Sequence, residues 1–193
     1  MANPPKILAF AGSAKETSVN KKLVQIAAAG AKAAGAEVTY IDLRNLPMPL
    51  FDEDLEAQQG IPATVREFKD LMLAHQGLLI ACPEYNSSIT PLLKNAIDWA
   101  SRPEPNLPGL ACFNNKVAAL MSASPGGFGG MRGLVHVRAI LESIGVLVIP
   151  EQRSISKAFE AFNQDGNLKD PQQQQEVENL GAKVTTLLMK LSA

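Results

Sequence analysis

Cysteine and histidine are scarce in this sequence, with two of each in 193 residues. Cys82 and Cys112 lie far apart, with no CxxC pair and no histidine nearby, so neither a metal site nor a disulfide framework is supported and both are expected as buried free thiols. His75 and His136 belong to no HExxH pattern, and each is expected on a helix end or at the surface rather than on a metal. Charge of one sign is also missing. The formal net charge is −1 and no run of Lys and Arg makes a local basic patch, which argues against nucleic acid as a partner. No apolar run approaches membrane-spanning length. Met1–Pro5 leads into a short apolar stretch with neither a charged leader nor a small-residue cleavage site, so a cytoplasmic protein with no membrane contact is expected.

What is present is an ordinary globular composition, 46% hydrophobic and 19% charged, too apolar for disorder. The length suits one domain over residues 1–193. Five runs, Ile7–Ala11, Val38–Asp42, Gly77–Cys82, Val117–Met121 and Val146–Ile149, are near-continuously apolar, as strands buried on both faces are. Longer segments alternate with them. Asn20–Ala34 is rich in Ala, Leu, Ile and Lys and is followed by Gly35, a good residue for ending a helix. Pro62 suits a first turn, and Val65, Phe68, Leu71 and Met72 put one apolar face on Pro62–Ala74. Pro91–Ser101, Gly130–Ile144 and Pro171–Leu191 complete the helices.

This alternation predicts βαβ units with right-handed crossovers. The fold class is α/β, a flavodoxin-like three-layer sandwich whose five-stranded parallel sheet has the order 2-1-3-4-5, with helices on both faces and ligand sites at the strand carboxyl ends. The order follows from the fold class and is not read from the residues. Two connections are long: Leu43–Ile61, with the acidic Asp52, Glu53, Asp54 and Glu56, and the proline-rich Arg102–Asn115. The acidic run reads as a solvated loop or as a contact for a basic ligand or partner subunit, and the proline-rich loop could wall a pocket.

Three loops carry candidate chemistry. The first, Gly12 to Asn20, leaves a buried strand and enters a helix whose amino terminus presents unpaired N–H groups. Ser13, Thr17 and Ser18 add hydroxyls, Asn20 an amide and Lys15 a cation, the donor set of a phosphate cradle. The alternative is that Ser18 only caps the helix and the other hydroxyls are solvated. Neither GxxxxGK[ST] nor GxGxxG follows the first strand, so ATP hydrolysis and Rossmann-type NAD binding are not supported. The second loop, Pro83 to Ser88, follows the third strand and so faces the same crevice. Tyr85 offers a flat apolar face, and Asn86 and the backbone can pair with a planar heterocycle. The third loop, Ser122 to Gly130, holds four glycines that allow close backbone approach to a ligand, or make a flexible turn.

Together, GSAKETSVN after the first strand, PEYNSSITPLLKNAIDWASR after the third and SASPGGFGG after the fourth resemble the NADPH-dependent FMN reductase family, which includes enzymes acting on quinones, azo compounds and chromate. The match runs in order over most of the chain. The resemblance implies bound FMN in a homodimer or homotetramer. Ser13, Lys15, Ser18 and Asn20 match the family's phosphate-binding positions, and Thr17 and Val19 stand among them in the same loop and are counted with them. Pro83, Glu84, Tyr85 and Asn86 match the stretch lining the isoalloxazine, and Ala123 and Ser124 the loop beside the flavin's far edge. Lys15 replaces the family's usual Arg, a less directional phosphate contact, and Pro91-Leu92 stands where a Gly-containing pair is common. Trp99 reads as core or subunit packing, and Arg132 and Glu151 as a pair across a subunit interface or as solvated side chains.

The function implied is an FMN-dependent NAD(P)H oxidoreductase. Hydride would pass from NADPH or NADH to bound FMN and then, in a ping-pong cycle, to a small-molecule acceptor such as a quinone, azo compound, metal oxyanion or free flavin. No acid–base dyad or nucleophile is evident, and none is needed when the flavin carries the chemistry. Two alternatives are a non-enzymatic FMN electron carrier and a redox-sensing module. Carriers tend to be strongly acidic, which this chain is not.

Overall fold

The computed structural model describes residues 3–192, so the amino-terminal reading over Met1 and Ala2 lies outside the described residues. Five strands, β1 (Lys6–Ala11), β2 (Glu37–Tyr40), β3 (Gly77–Ala81), β4 (Val117–Ala123) and β5 (Leu147–Ile155), form one parallel sheet in the order β2-β1-β3-β4-β5. This is the flavodoxin-like order expected from the alternation of elements. β3 and β4 are buried along their whole length, so their side chains serve two cores at once. On one face, Ile7, Ala9, Leu79, Ala119 and Met121 pack under α1 (Val19–Ala33) and α7 (Pro171–Leu191). On the other, Leu8, Phe10, Leu78, Ile80 and Leu120 pack under α3 (Ala63–Ala74), α4 (Pro91–Ala100) and α5 (Met131–Ser143). The alternation of faces along each strand is the two-residue period of the pleat. No helix among the described residues is long and apolar enough to cross a membrane.

Three elements depart from the expectations. The connection Leu43–Ile61 is not a plain loop: it holds a 3-10 turn (Leu43–Asn45) and α2 (Glu53–Gln59). α2 buries no residue, so it shows no apolar period; instead Asp52 accepts from the Asp54 and Leu55 N–H groups, and Glu53, Asp54 and Glu56 sit at the positive end of the helix dipole. β5 continues past Pro150 to Ile155. It is an edge strand, where the N–H that proline lacks is not needed, and it bulges: between paired positions β4 advances from Ala118 to Leu120 while β5 advances from Val148 to Gln152. Arg138 fills that bulge, its Nη2 donating to the Ile149 carbonyl at 2.9 Å. A short helix, α6 (Ala158–Ala161), follows β5 at the carboxyl edge of the sheet.

The two long connections brace one another. Arg102 Nε donates to both Glu56 carboxylate oxygens at 2.8 and 3.0 Å, and Lys69, fully buried, donates to the Arg102 carbonyl at 2.6 Å and faces Glu104 at 2.6 Å. Asp52, Glu53 and Asp54 are exposed, as a solvated acidic run should be, whereas Glu56 is spent on Arg102. Trp99 is core, fully buried, with its indole N–H donated to the Pro49 carbonyl at 2.7 Å. Both cysteines are buried free thiols. His75 lies at the end of α3 as expected, though buried, between the Leu71 carbonyl and the Thr39 hydroxyl, and His136 is on the surface of α5.

Candidate functional site

The site grows from the way the chain leaves β1. The Gly12 N–H donates to the Ala81 carbonyl at 2.9 Å, and its own carbonyl accepts the Thr90 hydroxyl at 2.7 Å. Thr90 Oγ1 also caps α4 by accepting from the Leu93 N–H. A Cβ on Gly12 would lie 2.8 Å from the Leu93 Cβ, so the first loop can pass this close to α4 only with glycine there. From this anchor the chain turns through Ser13 to Ser18 into α1. The Ser18 hydroxyl accepts from the Asn20 N–H at 3.3 Å and the Ser13 hydroxyl from the Lys15 N–H at 3.3 Å. Ser18 thus caps the helix through a lone pair, a contact that leaves its hydroxyl proton uncommitted.

Asn20 does not behave as a free donor. Its Nδ2 donates to the Ala123 carbonyl at 2.8 Å and its Oδ1 accepts from the Ala123 N–H at 2.9 Å. It is a buried clamp that ties the start of α1 to the end of β4, and so holds the first loop beside the third.

The second loop begins with the Cys82 N–H donating to the Met121 carbonyl. Beyond Pro83 and Glu84 the chain folds into a two-residue turn closed by the reciprocal Tyr85–Ser88 backbone bonds at 2.9 and 3.0 Å. Asn86 (φ 50°) and Ser87 (φ 69°) occupy its centre, both left-handed as a type I′ turn requires. Asn86 stands exposed at the tip of this turn and is not among the residues that line the cavity. The Glu84 side chain turns inward to α5, where it accepts from Arg132 Nε at 2.9 Å and from the Gly133 N–H at 3.1 Å. Burial disfavours its charge, but these hydrogen bonds and the guanidinium outweigh it and hold the carboxyl below the usual range. Within the chain Arg132 is paired with Glu84 and Glu151 with Lys183, so neither is a purely solvated side chain.

The third loop leaves β4 with the Ser122 hydroxyl donating to the Cys82 carbonyl at 2.6 Å. A Cβ on Gly130 (φ 88°) would lie 1.9 Å from that hydroxyl oxygen, so this glycine serves the folding of the loop rather than a ligand. Gly126 and Gly127 instead border open space, with no Cβ contact closer than 3.9 Å.

These loops enclose one cavity of about 150 Å³. Ser13, Lys15, Thr17, Ser18, Val19 and Asn20 line it from the first loop, Pro83, Glu84 and Tyr85 from the second, and Ala123 and Ser124 from the third. Eleven of the residues expected from the sequence meet there, and Asn86 does not. Pro125 and Phe159 also line it and were not foreseen. The proline-rich segment Arg102–Asn115 does not line this cavity. Among the described residues no hydrogen bond occupies the Thr17 or Val19 N–H, and Lys15 has no ion-pair partner. Hydroxyls, free N–H groups and an unpaired ammonium around a concave end of a sheet are the donor set that an anionic group would require.

Comparison with known proteins identifies the family. Residues 5–160 match the family model of the NADPH-dependent FMN reductases. An NAD(P)H-dependent FMN reductase of Pseudomonas aeruginosa is 40% identical over 172 residues, covering 88% of each chain. An NAD(P)H:quinone oxidoreductase of Solanum tuberosum is 36% identical over 191 residues, covering 96% of this chain and 94% of that one. Among solved structures, FerB, a flavoenzyme NAD(P)H:(acceptor) oxidoreductase of Paracoccus denitrificans, superposes with a TM-score of 0.78 at 25% identity over 96% of this chain and 98% of its own. The chain belongs to the NADPH-dependent FMN reductase family and is an NAD(P)H-dependent oxidoreductase.

Proposed function

We propose that the Gly12–Asn20 loop holds the phosphate of FMN and that the protein passes electrons from NADPH or NADH to a quinone or a similar small-molecule acceptor. The observation that carries this is the cavity at the carboxyl ends of β1, β3 and β4, where the Ser13, Thr17 and Ser18 hydroxyls, the Thr17 and Val19 N–H groups and the unpaired Lys15 surround one space. These residues fit a phosphate by charge and by donor count. Pro83, Tyr85, Ala123 and Ser124 supply the flatter, less polar remainder of the wall, suited to a ring system. Bound FMN supplies the hydride chemistry, which explains why no acid–base dyad is needed.

The chain's own contribution is binding and positioning. Asn20 and Ser122 fix the loops relative to one another, and the Glu84–Arg132 pair holds the second loop against α5. A cavity of about 150 Å³ is smaller than the ~300–1,000 Å³ pockets that enclose drug-sized ligands, so part of a flavin would remain open. An open side is what two substrates that use one site in turn require. The reading includes a homodimer or homotetramer: Tyr85, Phe128, Met131 and Val135 are large apolar residues exposed at the rim and on α5. It also includes a reducing, cytoplasmic compartment, which the two free thiols suit.

Steady-state NADPH and NADH oxidation with a quinone, run beside FMN and riboflavin titrations, tests the proposal. Turnover is expected only with bound FMN, and riboflavin should bind much more weakly because it lacks the phosphate. Equal affinity for the two flavins would overturn the phosphate assignment, and FMN binding without turnover would leave an electron carrier instead.

A further inference from the structure

Phe159 reaches the cavity from a segment with no recognisable motif. It stands on α6 and is 69% exposed, yet it lines the same space as Ser13, Lys15, Thr17 and Ser18. Its place is well determined. Ala158 is fully buried and its N–H donates to the Ser124 carbonyl at 3.1 Å, the Ser124 N–H donates to the Ile155 carbonyl at 3.1 Å, and Phe162 is buried three residues on. An exposed aromatic ring on so firmly held a turn is not there to fill the core.

The Lys15 Nζ lies 5.8 Å from the centroid of that ring. The adjacent carboxylate, Glu16, is turned to Arg44 at 3.3 Å, and Lys15 has no ion pair among the described residues. The ring is thus the interaction that the structure gives to an ammonium without an ion pair, within the range where a cation is attracted to an aromatic face. Lysine lacks the planar fork by which arginine orients itself on a phosphate.

We infer that Phe159 is a positioning residue for the phosphate cradle: its ring holds the Lys15 ammonium at the cavity and so sets the affinity for the phosphorylated cofactor. The inference rests on the FMN reading above. Titrations of FMN and riboflavin into wild type, Phe159→Ala, Phe159→Leu, Phe159→Tyr, Lys15→Ala and the Phe159→Ala/Lys15→Ala double variant test it, with circular dichroism to verify folding. Phe159→Ala and Phe159→Leu should each weaken FMN binding about three- to tenfold and leave riboflavin unchanged, because an aliphatic side chain keeps bulk but not the ring's negative face. Phe159→Tyr should restore wild-type affinity, and truncating Phe159 should add nothing once Lys15 is gone. Equal weakening of both flavins, additive losses in the double variant, or unchanged FMN affinity in Phe159→Ala would each overturn this role while leaving the FMN assignment intact. A wild-type protein that binds FMN no better than riboflavin would overturn the assignment itself, and this role with it.

Discussion

Asn20 offers the sharpest test of how the site is built. Replacing it with alanine removes two buried hydrogen bonds, to the Ala123 carbonyl at 2.8 Å and from the Ala123 N–H at 2.9 Å, and strands both backbone groups in a place that is 3% exposed. Leaving a buried group without its partner costs ~1–3 kcal/mol, so two such groups at about 1.5 kcal/mol each give an expected loss of about 3 kcal/mol. For a chain of this length each kcal/mol moves the melting temperature by roughly 2–4 °C, which puts the drop at about 6–12 °C. The assay is thermal unfolding of the flavin-free protein, followed by FMN titration well below the new midpoint. Asn20→Asp should be no better, because it keeps an acceptor for the Ala123 N–H but sets a carboxylate against the Ala123 carbonyl. If Asn20→Ala melted like wild type without flavin and lost only FMN affinity, the amide would be a ligand donor after all and the clamp would contribute nothing.

Three further outcomes follow from other residues. Glu84 has a carboxyl held below its ordinary range, so the stability it contributes is present above the usual Glu value of ~4.3 and is lost as pH falls through the lower folded value. Glu84→Gln should therefore be less stable than wild type at neutral pH, with the two acid-unfolding curves converging at low pH; a constant gap at every pH would refute the assignment. Trp99→Phe removes the 2.7 Å bond to the Pro49 carbonyl and leaves space in a fully buried site, for a loss of roughly 2 kcal/mol in urea and faster amide exchange around Leu46–Phe51. Cys82 and Cys112 are buried, with burial pushing both thiols up, so neither should react with a thiol reagent until the protein is unfolded.

The three central strands, β1, β3 and β4, were readable because they are buried on both faces, which turns each into a continuous apolar run with no competing periodicity. The same criterion explains what was missed. α2 buries nothing and is held by its cap and its dipole, so it carries no apolar signature at all. β5 beyond Pro150 runs along an edge, where Glu151, Gln152 and Arg153 are only half-buried and a bulge breaks the alternation, so neither run nor period survives. α6 is a single turn, shorter than any helical period can be counted over.

At the site, the residues that were legible are those whose position along the chain settles their surroundings. Ser13, Thr17 and Ser18 sit where a buried strand enters a helix, and that junction alone puts donors at the crevice. Asn20, Glu84 and Asn86 are polar residues of the same loops, but what each does is decided by a group distant in sequence or by backbone conformation: Ala123, 103 residues away; Arg132, 48 away; and a left-handed turn. Local sequence cannot separate a side chain that meets a ligand from one that meets its own backbone, because both uses call for the same donors. Phe159 was illegible for the opposite reason, since an isolated aromatic has no donor to draw attention. The usable signal was topological: Phe159 lies just beyond the carboxyl end of β5, and chain that leaves a parallel strand at that end stands at the ligand side of the sheet. The residues that follow every strand of a parallel sheet share that side, whether or not they carry a polar motif, and this is what brings Phe159 to the cavity beside Lys15.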